Sequence, residues 1–175
     1  MLRPLTKLYF AYGSNLNKAA MKVRCPKAKP IRKFFISEAQ LVFRGVADVE
    51  VTNDPRDIVA GGMWWVTEEC EKSLDRYEGV GTGLYTKEYC PITFSGRKTT
   101  CMFYKMQVPG IMPPNHHYYE TLVKGYRDFG LPEEILIDAL HRSWGEKDKT
   151  PYLRRRWRMK GKQPFQRVED PWKYL

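Results

Sequence analysis

The residue best placed by type and spacing to move protons is Glu78, in the stretch LDRYEGVGTGLY at 74–85. TEECEKSLDRYE, 67–78, has the pattern of a helix capped by Thr67, with Glu68 and Glu69 in the first turn, where the dipole favours acids. Cys70, Leu74 and Tyr77 fall at i, i+4 and i+7 as an inward stripe; Glu78 lies at that stripe's edge and Asp75 further toward solvent. Glu78 also occupies the last turn, whose negative end disfavours a carboxylate, so burial and dipole together raise its proton affinity. That is what a group accepting and returning protons near neutral pH requires. The structural alternative is a helix-terminal acid, exposed or paired with Arg76 or Lys87.

A second stretch, YFAYGSNL at 9–16, supplies complementary chemistry. Tyr9, Phe10 and Tyr12 favour a strand, Gly13 permits a turn, and Asn15 or Asn17 can cap the helix that follows. A strand that ends in such a turn is either a plain connection or a site, because free backbone N–H groups at a helix start attract oxygen. The glycines Gly79, Gly81 and Gly83 do not form a nucleotide loop, since they follow a helix, open a strand and lack Gly-Lys-Thr. They suit mobile turns that let the backbone approach something closely. Ser14 is outside a GxSxG elbow, which disfavours serine hydrolysis. Cys25, Cys70, Cys90 and Cys101 contain no CxxC pair, and adjacent His116 and His117 rarely converge on one ion, so reduced thiols and no metal are expected.

The elements that must position these residues are short. Strands are expected at 5–12, in PIRKFFI, AQLVFRG, VADVEVT and IVAGGMWWV, and in YTKEYCPITF and KTTCMFYKM, the last two joined at Ser95-Gly96 as a hairpin. Helices are expected at 17–24 and 67–78, in HHYYETLVKGYRDFG up to Gly130, and from Leu131-Pro132 through IDALHRSW to Gly145. Tyr118 and Tyr119 fit core and lid equally. The fold class is α+β: one domain over 1–150, with a strongly curved sheet or small mixed barrel flanked by helices.

The chain of 175 residues, 42% hydrophobic, suffices for one core, and it carries neither a membrane-length apolar run nor a secretory signal pattern. A cytoplasmic protein, monomer or dimer, is expected. Residues 151–175 hold +6 of the net charge of +10, interleaved with Trp157, Phe165, Trp172 and Tyr174. This basic aromatic tail suits a nucleic acid or another anionic partner, and equally a solvated segment packing its aromatics on the body.

YFAYGSNL, GGMWWV at 61–66, LDRYEGVGTGLY, TCMFYKM at 100–106 and YETLVKGYRDFGLPEEILIDAL at 119–140, in this order and spacing, resemble the γ-glutamylcyclotransferase family. The resemblance spans roughly 5–145 and leaves the basic tail outside. It implies a compact mixed β-barrel with flanking helices and a reaction without metal or organic cofactor. In that reaction the α-amino nitrogen of a γ-glutamyl compound attacks its own γ-carbonyl, giving 5-oxoproline and a released amine or amino acid. It further implies Glu78 as general acid/base, and Tyr9, Phe10, Ala11, Tyr12, Gly13 and Ser14 around the glutamyl moiety, joined by Tyr104. Cyclisation of γ-glutamyl amines and removal of a biosynthetic γ-glutamyl protecting group are the neighbouring activities.

Overall fold

β1 (Thr6–Ala11) is the axis of the architecture: its last four residues are buried, as a strand with neighbours on both sides requires. The computed structural model describes residues 6–146 and places β1 third in a five-stranded sheet of order β2-β5-β1-β7-β6. β5 (Ile58–Thr67) pairs with it antiparallel, Tyr9 opposite Trp64, and β7 (Arg97–Met106) pairs parallel, Tyr9 opposite Met102. β2 (Lys29–Ser37) and β6 (Tyr85–Phe94) are the edges. Pro91, which lacks a donor, is accordingly tolerated on β6. The β6–β7 loop is Ser95-Gly96 with both φ positive, +50° and +76°, the primed turn that matches strand twist.

β3 (Ala39–Phe43) and β4 (Ala47–Val51) form a separate hairpin, so the sheet is open and no closed barrel forms among the described residues. The hairpin is tied to the sheet through Asp48, fully buried, whose Oδ1 accepts the Met106 N–H at 2.9 Å and whose Oδ2 accepts from Arg44 Nε at 2.8 Å.

After β1 come a single 3-10 turn (Ser14–Leu16) and α1 (Lys18–Arg24), which Asn17 caps by accepting the Ala20 N–H at 2.9 Å. α2 (Glu68–Glu78) starts at Thr67 and stops at Gly79, whose φ of +67° a side chain would resist. α3 (His116–Phe129) follows the proline-rich connector, and α4 (Glu133–Glu146) carries on past Gly145, where the sequence pattern suggested an end. Gly125 of α3 lets that helix press on the 3-10 turn: a Cβ there would lie 2.5 Å from Leu16 Cβ and 2.9 Å from the Asn17 nitrogen. The core includes Phe10, Leu16, Met21, Phe43, Met63, Leu74, Met102, Leu122 and Tyr126. No described helix is long and apolar enough to cross a membrane. The basic tail, 151–175, lies outside the described residues.

Candidate active site

The end of α2 meets the turn after β1 at Glu78. Its Oε1 accepts a 2.9 Å hydrogen bond from Asn15 Nδ2, and the same amide nitrogen donates to Tyr9 Oη at 2.9 Å. Asn15 is turned this way because its Oδ1 accepts from Arg24 Nη1 at 2.6 Å, and a guanidinium can only donate. Arg24 Nη1 also reaches Ser14 Oγ at 3.1 Å, while its guanidinium lies 3.8 Å from the centroid of the Tyr77 ring. One buried amide thus links a cation, a carboxylate and a phenol.

Burial pushes the Glu78 carboxyl up to about 7, against the opposing pull of the Arg24 charge and the Asn15 hydrogen bond. Tyr9, Tyr12, Tyr85, Tyr104 and Tyr118 are all held above the usual phenol range, burial first, with the Glu78 charge among the further causes. These phenols remain protonated and surround an acid that titrates near neutrality. Tyr9 and Tyr104 touch edge to face, ring centroids 5.8 Å apart, and each is 3% exposed. Tyr104 Oη donates to Asp75 Oδ1 at 2.7 Å; the Tyr104 main-chain carbonyl accepts from Tyr12 Oη.

Within the segment 9–14, Tyr9, Tyr12 and Ser14 reach the polar cluster. Phe10 is spent on the core, its ring 6.4 Å from that of Phe34 and tight against Gly61, where a Cβ would lie 2.4 Å away, and the Ala11 carbonyl lies against the same glycine. The Tyr118 hydroxyl lies beside this backbone: it accepts the Ala47 N–H at 3.0 Å and stands 3.3 Å from where a Cβ at Gly13 would be. Tyr119, one residue on, belongs to the core beside Phe43.

Two sequence-based expectations are revised. Tyr77 is not on the inward stripe of α2; it is 50% exposed, and the buried residues of the helix are Cys70, Glu71 and Leu74. The error has a physical source: Arg24 offers Tyr77 a cationic partner outside the core, which an aromatic with a polar tip accepts. Asp75 does not point away to solvent but pairs with Lys87 at 2.8 Å and with Tyr104, and Lys87 therefore does not neutralise Glu78. Gly79 and Gly83 adopt left-handed backbone, φ +67° and +73°, and at Gly81 and Gly83 no protein atom lies where a Cβ would go.

Asn15, Arg24 and Asp75 were not singled out from the sequence as site residues. For Asp75 a signal existed, since it precedes Glu78 by one turn on the same helix. For Arg24 there was none, because its contact with Asn15 depends on how α1 folds back. Among the described residues no group of three His, Cys, Asp or Glu side chains is arranged to hold a metal ion.

The AIG2-like family matches residues 58–138. Gamma-glutamylcyclotransferase from Bos taurus is 31% identical over 140 residues, 73% of each chain, and that from Mus musculus is 32% identical over 142, 74% of each. A solved structure of a gamma-glutamyl cyclotransferase superposes with a TM-score of 0.66 at 28% identity, covering 74% of this chain and 83% of that one. The sequence relatives and the fold agree, and the chain accordingly belongs to the γ-glutamylcyclotransferase family and is an enzyme of that type.

Proposed function

We propose that the enzyme converts a γ-glutamyl amino acid, peptide or amine to 5-oxoproline and the free amine, with Glu78 as general acid and base. The observation that carries this reading is the Glu78 carboxyl held by the Asn15 amide that also bonds Tyr9, in a setting whose burial raises its proton affinity to about 7. A substrate α-ammonium, of pKa ~8, is no nucleophile until deprotonated. Glu78, only about one unit less basic, takes that proton with little thermodynamic penalty. The freed nitrogen attacks the γ-carbonyl carbon, closing the five-membered ring as the C–N bond to the departing amine breaks. Glu78 then returns its proton to the leaving nitrogen and takes the second proton from the ring nitrogen, which the released amine accepts in becoming an ammonium, so the residue ends as it began. No group outside the chain is needed for the balance.

Tyr9 Oη already accepts from Asn15, which leaves its own proton for an oxygen of the substrate; a preformed donor at a developing oxyanion needs no reorganisation. Holding the chain in the ring-closing conformer adds an entropic advantage.

The test is release of 5-oxoproline from γ-glutamyl dipeptides, γ-glutamyl amines and glutathione, with wild type and Glu78→Gln side by side. Wild type is expected to turn over at least one class, and folded Glu78→Gln to lose at least about 100-fold in kcat. Near-normal turnover by that variant removes Glu78 from the mechanism; absence of product from every substrate removes the cyclotransferase reaction. The substrate that works names the leaving group and separates degradation of γ-glutamyl peptides from γ-glutamyl amine cyclisation or deprotection.

A further inference from the structure

Behind Tyr104 runs a chain of four charged side chains. Lys7 Nζ donates to Glu71 Oε2 at 2.6 Å, Lys87 Nζ to Glu71 Oε1 at 2.7 Å and to Asp75 Oδ2 at 2.8 Å, and Asp75 Oδ1 accepts the Tyr104 hydroxyl at 2.7 Å. The middle of the chain is largely shielded, with the Glu71 side chain 8% and that of Lys87 19% exposed. Such a network is more elaborate than holding α2 on the sheet requires, since Leu74 and Cys70 already bury that face. Its terminus is one phenol beside Tyr9 and within the field of Glu78.

A phenol has one proton and two lone pairs. Asp75, ion-paired with Lys87, accepts only, so the proton of Tyr104 is committed to it and Tyr104 has only acceptor capacity left for the site. Tyr9 is the reverse: it accepts from Asn15 and keeps its proton. Two adjacent hydroxyls therefore have opposite polarity, and a γ-glutamyl group offers the matching pair, a donor at its α-ammonium and acceptors at its oxygens.

We propose that Asp75, fixed by Lys87 and Glu71, is a positioning residue that turns Tyr104 into an acceptor for the substrate's α-amino group, selecting compounds that carry one. The inference rests on the cyclotransferase reading and deepens it. One turn of α2 thereby presents both the acid/base at 78 and the residue that orients the nucleophile's partner at 75.

Asp75→Asn tests it. The single amide oxygen stays with Lys87, the NH2 group faces Tyr104, and the phenolic proton is released toward the site. Two probes are compared: the γ-glutamyl compound turned over in the panel above, beginning with γ-glutamylalanine, and its glutaryl counterpart, which lacks only the α-amino group and serves as competitive inhibitor. The variant is expected to raise KM for the γ-glutamyl compound about tenfold, the scale of a hydrogen bond to a charged group, and to leave Ki of the glutaryl compound within about twofold of wild type. Parallel loss for both probes, or loss for neither, overturns the assignment. Tyr104→Phe, which disturbs no ion pair, must show the same selective loss, and combining it with Asp75→Asn must add little, which keeps the test decisive should Asp75→Asn not fold. Absence of 5-oxoproline from wild type would instead overturn the reaction itself, a separate result.

Discussion

Burial sets Glu78 against its own ionisation, and that conflict has a signature in stability as well as in catalysis. Its folded value of about 7 stands above the ordinary 4.5, so the group's contribution to stability is fully present below about pH 4.5 and is lost as pH rises through 7. At pH 8 the ionised side chain costs the fold about 3 kcal/mol. Glu78→Gln is therefore expected to raise Tm at pH 8 and to match wild type near pH 4.5; equal Tm values at both would show a solvated carboxylate. Asn15 works the other way, since its N–H stabilises the charged form. Asn15→Leu should move the acidic limb of the kcat/KM profile above pH 7, whereas an unmoved limb would mean that the hydrogen bond does not bear on the titration. Of these residues, Glu78 was legible from helix phase and dipole as a partly buried acid of raised proton affinity, with an exposed or paired acid as the open alternative, and its assignment to the chemistry came from the family resemblance. Asn15 was visible only as a cap because its partners, 63 and 9 positions away, are set by tertiary packing.

Elements carry this geometry through close approaches, and the 3-10 turn is the critical one. It holds Asn15 and Ser14, and α3 presses on it at Gly125. Gly125→Ala would drive a methyl into Leu16 and the Asn17 backbone, where little can yield, at a cost of about 1–3 kcal/mol. The urea midpoint should fall accordingly and activity should decline with it, because the turn cannot shift without moving Asn15. An unchanged midpoint would mean that the helix repositions freely. Local patterns foretold most elements well: the Thr67 and Asn17 caps, the Gly79 and Gly130 stops and the Ser95-Gly96 turn are each fixed by a few adjacent residues. Periodicity failed at Tyr77, where the hydrophobic stripe and a cationic partner competed and the cation won.

At the scale of the whole molecule, strand pairing was the least legible feature, because the parallel β1–β7 ladder joins segments about 90 residues apart and no local signal encodes it. The open sheet with a separate β3–β4 hairpin, in place of a closed barrel, follows from those pairings. Charge is distributed just as unevenly along the chain. Every residue assigned to the chemistry lies between 9 and 104, whereas 151–175 holds +6 of the net +10. The reaction on a small substrate gives that tail no task, and a basic run interleaved with tryptophans and tyrosine suits a polyanion. If it binds single-stranded nucleic acid, replacing Arg154, Arg155, Arg156 and Arg158 by Gln in the full chain should flatten the slope of log affinity against log salt by up to about 3, at ~0.7 per phosphate contact. Turnover of the γ-glutamyl substrate should not change. A slope that survives the four substitutions would assign anion binding to the folded body, and a parallel loss of turnover would join the tail to the catalytic domain.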